Sequence, residues 1–298
     1  MPHKQKLIFL VGPTASGKTA LAVKLAKKFN LGIISCDSMQ VYKEPKIITN
    51  KPTSIELNKI KHYLVSVVSI KENFDVALFL KLAKEAITSI VKEDKTPLIV
   101  VGTPFYMVAL LDGIFEGQTC NESLRKKLYQ EAKVRGSLFL HKRLEKVDLL
   151  AANKIHPNDL RRIVRAFEVY YSRKMPISKM QKNRTGISNE YNIKIYGIKI
   201  KRDELYKRIN LRTEKLFKEG FIKEGRKLLR KKLSKSASQI LGLKQVNALT
   251  RGDIDMNEAE RLVARDSRHY AKRQLTWFRR DKRIIWKTTN ELLKLKRI

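Results

Sequence analysis

Lys6-Leu-Ile-Phe-Leu-Val-Gly-Pro-Thr-Ala-Ser-Gly-Lys-Thr19 begins with a short apolar run and closes on the complete pattern G-x-x-x-x-G-K-T. KLIFLV is too short for a buried helix and is bounded by glycine, so it reads as a buried strand. From about Thr19 to Phe29, Leu21, Leu25, Ala26 and Phe29 fall on one helical face. A strand, a glycine loop and a helix in that order turn backbone N–H groups toward an anion at the positive end of the helix dipole. Gly12, Thr14, Ala15, Ser16, Gly17, Lys18 and Thr19 are therefore the candidate phosphate-binding residues. Lys18 supplies a point charge, and the Thr19 hydroxyl is placed to ligate a divalent cation such as Mg²⁺. The loop alone does not distinguish the phosphates of ATP from another diphosphate.

Outward from the loop, Leu31 to Cys36 and Pro97 to Val101 read as further buried strands, with an amphipathic helix near Phe74 to Val91 between them. Repeated strand and helix units imply an α/β fold, a P-loop nucleoside-triphosphatase-like core with a parallel sheet. Functional residues in such folds gather at the C-terminal ends of the strands, which singles out Asp37 and Thr103. The Asp37 carboxylate can hold Mg²⁺ through water, accept a proton from a nucleophile, or cap the next segment. Cys36 reads as packing. Cys36 and Cys120 form no C-x-x-C pattern, the five histidines show no ligand spacing, and the chain reads as cytoplasmic.

From Asn121 to Arg173 the pattern is helical and arginine-rich, with Asn158 or Asp159 as a cap before Leu160, Ile163, Val164, Phe167 and Val169. Met175 to Asn192 reads as a loop, Ile193 to Ile200 as a returning strand, and about Asp203 to Leu233 as a helix that Gly220 and Gly225 can interrupt. The expected organisation is a catalytic core at 1–113, an inserted all-helical lobe at 114–192, and a return to the core with basic helices at 193–298. Arg202, just past the returning strand, is a candidate anion clamp, with Arg208 and Arg212 beyond it.

The 298 residues carry 64 Lys and Arg against 29 Asp and Glu, net +35, which points to a polyanionic partner. Residues 1–113 account for only +7 and contain no arginine, whereas 114–298 carry +28 and all 22 arginines, starting at Arg125. Guanidinium groups make planar, multi-donor contacts to phosphate, so this segregation favours nucleic acid. Between Glu258 and Arg283 a helix can place Arg261, Arg265, Arg268 and Lys272 on one side, with Trp277 and Tyr270 in packing roles. No stretch is long and apolar enough for a membrane span.

GPTASGKT at 12–19, IISCDSMQVY at 33–42, GTPFY at 102–106, HPNDLRRIVRAFEVY at 156–170, GLKQ at 242–245 and RHYAKRQLTWFRRD at 268–281 follow one another in this order. Together they resemble the tRNA dimethylallyltransferase (tRNA isopentenyltransferase) family over most of the chain. The resemblance implies transfer of a dimethylallyl group from dimethylallyl diphosphate to N6 of the adenine beside the anticodon, position 37 of tRNAs reading codons that begin with U. It implies that Asp37 is the general base, that Thr103 and Arg202 steer the diphosphate, and that Mg²⁺ assists its departure. It further implies that the helical lobe grips the anticodon stem-loop, with tRNA contacts at Gln40, Arg161, Arg165, Arg265, Arg268, Lys272 and Arg273; a monomer is the default expectation. Where the family usually carries GGTGLY this chain has Val101-Gly-Thr-Pro-Phe-Tyr106, so Val101 and Pro104 stand where glycines are usual. It also has KIITNKP at 46–52 for DIGTAKP and KHYLVS at 61–66 for PHHLID.

Overall fold

A computed structural model describes residues 4–53, 57, 60–114 and 121–298; Cys120 lies outside the described residues. β1 (Lys6–Val11) passes through the glycine loop into α1 (Lys18–Phe29), and β2 (Leu31–Cys36) follows. Then come the two-residue β3 (His62–Tyr63), α2 (Val76–Lys92), β4 (Thr96–Val101) and α3 (Pro104–Asp112). The next helices are α4 (Glu122–Arg135), α5 (Ser137–Val147), α6 (Leu149–Ala152), α7 (Leu160–Arg173) and α8 (Ile177–Met180). The chain returns through β5 (Asn192–Ile198), α9 (Arg202–Lys218), α10 (Phe221–Leu229), α11 (Leu243–Arg251) and α12 (Met256–Phe278), and ends with β6 (Ile284–Lys287) and α13 (Thr289–Leu293).

Among the described residues six strands form one parallel sheet, in the order β3-β2-β4-β1-β5-β6. β1, β2 and β4 are almost wholly buried, which is why they read as continuous apolar runs without alternation. Register then sets the site. Val101 pairs with Val11 on one side and with Cys36 on the other, so three neighbouring strands end level. Gly12, Asp37 and Gly102 are therefore the first residues beyond one common rim, on strands about 4.8 Å apart.

Beneath one face of the sheet, Leu21, Ala22, Leu25 and Ala26 of α1 pack with Ile8, Leu10, Ile33, Leu98 and Leu292. Each such large apolar side chain contributes roughly 1.5–3 kcal/mol on burial. α2 starts where the Asp75 carboxylate accepts from Leu78 N–H (3.0 Å), and α1 stops at Asn30 in the left-handed region. The helix expected across Asp203–Leu233 is two helices, broken at Gly220 with φ 105°; Gly225 lies inside α10 and is buried. The returning strand ends at Ile198, and Met175 to Asn192 contains short helical turns.

Contacts divide the chain into one unit of residues 1–109 and 188–298 and a second of Leu110–Ile187. The expected insertion limits, 114 and 192, follow composition; the contact limits instead assign the end of α3 to the helical unit and residues 188–192 to the α/β unit. Within that unit Leu128, Leu140, Leu144, Ile163, Val164 and Phe167 form a core of their own. Asp159, not Asn158, caps α7, accepting from Arg162 N–H (3.2 Å). Glu168 is fully buried in this unit and takes a two-pronged contact from Arg125 at 2.9 and 3.0 Å. Among the described residues no helix is long and apolar enough to cross a membrane.

Candidate active site

Two cavities, of about 490 and 500 Å³, open beside the common strand rim of the α/β unit. Thr14, Asp37, Asn50, Arg212 and Tyr270 line both. The first cavity is floored by Thr14 through Thr19 and walled by Gln40, Gly102, Arg208, Arg212 and Gln274. The second extends past Asp37 to Ser38, Met39, Lys244, Gln245, His269 and Arg273.

The loop is set for an anion. Gly17 adopts φ 86°, a conformation costly for other residues, and immediately precedes α1. No side chain caps α1 and no acid occupies its first turn, so its N-terminal N–H groups are left for a ligand. Lys18 Nζ folds back to donate to Gly12 O (2.7 Å) and Pro13 O (2.8 Å). Burial pushes its ammonium down to about 7, opposed by the charge of Asp37 and aided by that of Arg212. Among the described residues Ser16 Oγ, buried in the loop, has no hydrogen-bond partner. Arg212 Nη1 donates to Thr14 Oγ1 (2.7 Å), while its buried Nε has no partner among the described residues. Burial lowers the Arg212 guanidinium to about 10, with Asp37 opposing, so it stays charged at neutral pH.

Asp37 uses one oxygen to hold its own turn: Oδ1 accepts from Met39 N–H (2.8 Å) and Gln40 N–H (3.2 Å). The capping role and the pocket role therefore coexist, because Oδ2 lies against Gly102, where any β-carbon would overlap it. Thr103 Oγ1 accepts from Ser38 N–H (3.1 Å) and donates to Ser38 Oγ (3.3 Å), tying it to the segment after Asp37. Cys36 is fully buried and burial raises its thiol well above the ordinary value, in keeping with packing. Pro104 is the first residue of α3, where a missing N–H costs nothing and the ring favours the helical φ. The departure from glycine is thereby accommodated, and the essential glycine of the segment, Gly102, is retained.

The structure separates the three arginines of α9. Arg202 is exposed at the helix start, its guanidinium 5.1 Å from the centre of the Tyr206 ring, and it lines neither cavity. Arg208 and Arg212 line the first, and Arg208 Nη1 also reaches Ser16 O (3.5 Å). Gln40 lines the first cavity and donates to Asn50 O (3.0 Å).

The basic residues divide too. Arg273 is exposed at the second cavity with its guanidinium 5.7 Å from the Tyr270 ring centre. Lys272 and Arg161 are exposed and make no ion pair among the described residues. Arg265 pairs with Asp266 (3.0 Å), Arg268 donates to Asn210 Oδ1 (2.6 Å), and Arg165 lies 3.6 Å from the buried Glu168. Trp277 is 39% exposed rather than packed. Sequence reasoning passed over Gln274, although it falls on the buried stripe Ser267, Ala271, Gln274, Phe278 of α12, where a polar residue is itself a signal.

Among the described residues no three His, Cys, Asp or Glu gather to hold a metal. Mg²⁺ needs no such cage, since it commonly binds through one carboxylate or hydroxyl together with substrate phosphate oxygens and water. The hard oxygen donors of Thr19 and Asp37, both lining the phosphate cavity, fit that requirement.

Known proteins similar to this chain are tRNA prenyltransferases. A tRNA dimethylallyltransferase of Carboxydothermus hydrogenoformans is 45% identical over 284 residues, 95% of this chain and 91% of the relative. That of Acetivibrio thermocellus is 42% identical over 288 residues, 96% of this chain and 92% of the relative. The full-length tRNA isopentenylpyrophosphate transferase of Bacillus halodurans superposes with a TM-score of 0.71 at 35% identity, covering 98% and 94% of the two chains. A eukaryotic dimethylallyltransferase solved acting on tRNA gives 0.81 at 26% identity, covering 97% of this chain and 75% of the other. With residues 40–281 also matching the family described as IPP transferase, the chain belongs to the IPP transferase family.

Proposed function

We propose that this protein transfers a dimethylallyl group from dimethylallyl diphosphate to N6 of the adenine beside the anticodon in tRNA, position 37 in tRNAs reading codons that begin with U. The observation that carries the reading is the place of Asp37, in the wall shared by a cavity floored by the glycine loop and a second cavity of similar size. A diphosphate in the first and an extruded base in the second bring donor carbon and acceptor nitrogen together beside one carboxylate. Extrusion is required because N6 is not accessible for this chemistry within the stack.

The N6–C1 bond forms as the C1–O bond to diphosphate breaks, and the N6 proton passes to Asp37. Asp37 Oδ1 is occupied by two backbone N–H groups, leaving Oδ2 to accept it. Negative charge growing on the leaving diphosphate meets Lys18, Arg208, Arg212 and the free N–H groups at the start of α1. Thr103 holds the turn after Asp37 through Ser38, and Arg202 would reach the diphosphate only by moving from its position on Tyr206. Thr19 would hold Mg²⁺, with Asp37 reaching the ion only through water so that Oδ2 stays free for the proton, and the ion would supply further charge neutralisation to the diphosphate. The lysine, hydroxyl and cation-binding features suit ATP as well, but the second cavity at the carboxylate gives a kinase reading no added support.

The test is mass analysis of nucleosides from unmodified tRNA incubated with the protein, dimethylallyl diphosphate and Mg²⁺. One adenosine is expected to gain a dimethylallyl group in place of a proton. No adduct, with RNA still bound, would overturn the reading.

A further inference from the structure

We propose that Gln274 is a positioning residue that fixes the distance between the diphosphate holder and the base, a claim that rests on the prenyl-transfer reading. Gln274 is 2% exposed on α12 and its primary amide is used at both ends. Oε1 accepts from Thr14 N–H in the phosphate loop (2.8 Å), and Nε2 donates to Gly102 O beyond β4 (2.6 Å). The orientation of the amide is forced, because an N–H must meet an acceptor and a carbonyl must meet a donor.

The far end of this bridge touches the base. Gly102 O also accepts from Tyr270 OH (2.9 Å), so both its lone-pair directions are filled. Gly102 N–H donates to Cys36 O (2.9 Å), which locks the residue against the end of β2. Its Cα face is where Asp37 Oδ2 rests. Thr14, Gln274, Gly102 and Asp37 thus form one continuous run of contacts from the leaving-group side to the proton acceptor. Thr14 is held from its other side by Arg212, and Ala15 packs against the Leu205, Ile209 and Ala271 cluster formed by α9 and α12. The bridge therefore stands on two packed helices and not on a loose loop.

The consequence is specific. The charge that holds the diphosphate comes from Lys18, the arginines and the α1 terminus, none of which hydrogen-bonds Gln274, whose partners are Thr14 and Gly102, whereas the chemical step needs donor and base in one frame. Loss of the bridge should lower kcat and spare affinity for the diphosphate. A displacement of about an ångström is enough for roughly a hundredfold loss in rate.

The experiment uses the full chain and two substitutions. Gln274→Met keeps the shape and removes both hydrogen bonds. Gln274→Glu keeps the acceptor when ionised, setting a carboxylate oxygen against Gly102 O, and regains a donor only when protonated. Single-turnover prenyl transfer, KM for dimethylallyl diphosphate, calorimetric binding of magnesium pyrophosphate and thermal unfolding are measured for each. Gln274→Met is expected to lose about a hundredfold in rate with diphosphate affinity within threefold of wild type. For Gln274→Glu, the rate relative to wild type is expected to rise at least tenfold as pH falls from 8 to 6. The proposal is overturned if Gln274→Met transfers at a wild-type rate, if rate and diphosphate affinity fall in equal proportion, or if the Glu-to-wild-type ratio is flat with pH. Should the wild-type protein itself form no adduct, the prenyl-transfer reading fails and this role fails with it; transfer by wild type with any of the three other results removes only the role of Gln274.

Discussion

Asp37 and Lys18 were legible from the sequence because each follows a strand that declares itself by an unbroken apolar run. Arg202, singled out because it follows a strand end, stands apart from both cavities, since proximity along the chain is not proximity in space. Helical geometry separates these arginines: Arg208 and Arg212, four residues apart, share a face, whereas Arg202 lies about 240° around the helix from Arg208. Gln274 left a fainter mark, a single amide in an apolar stripe, and its partners lie 260 and 172 residues away. Lys18 couples anion binding to a proton. Its ammonium is held down near 7 before ligand arrives, so above that pH an anion must draw in a proton as it binds. Affinity for pyrophosphate therefore weakens as pH rises from 7 to 9, by up to about tenfold per unit, relative to Lys18→Met. Calorimetry in buffers of different ionisation enthalpy measures the proton uptake. An unchanged ratio of the two affinities and no proton uptake would remove the coupling.

Among the elements, β1 and β2 matched their expected limits, Lys6–Val11 and Leu31–Cys36, because Gly12, Asn30 and Asp37 punctuate them. The helix after β5 reads as one that Gly220 and Gly225 can interrupt, and left-handed Gly220 is where it splits, whereas Gly225 stays within α10, because 3.6-residue periodicity alone does not say which glycine ends a helix. The start of α3 shows how a departure from a family pattern is absorbed. Pro104 at the first helical position fixes φ and also restricts Thr103 before it, which stiffens the turn that presents the threonine hydroxyl to Ser38. Pro104→Gly is expected to lower stability by about 1 kcal/mol through the unfolded chain while leaving transfer within threefold of wild type. Urea unfolding followed by circular dichroism, alongside the transfer assay, checks both halves. A rate loss above tenfold without unfolding would show that the ring shapes the substrate pocket directly.

Over the whole molecule, the charge asymmetry was readable as a polyanion signal, but not which cations are available to one. Formal charge counts Arg165 and Arg265 equally with Arg161 and Lys272, whereas carboxylates engage the first two and leave the others open. Removing Lys272 or Arg161 should weaken tRNA binding and reduce the slope of log affinity against log salt by about one unit each. Arg265→Gln should change that slope less, because Asp266 already offsets its charge; equal slopes for all three in filter-binding titrations would contradict this sorting. The proposed chemistry depends on a different feature of the fold, that three strand ends stand level and bring Asp37 between two cavities. The most direct test is single-turnover transfer by Asp37→Asn, with magnesium pyrophosphate and tRNA affinities measured in parallel. The rate is expected to fall by about 10²–10⁴-fold while both affinities stay within threefold of wild type. A wild-type rate from Asp37→Asn would contradict the assignment of the proton to this carboxylate, and with it the account of how the two cavities work together.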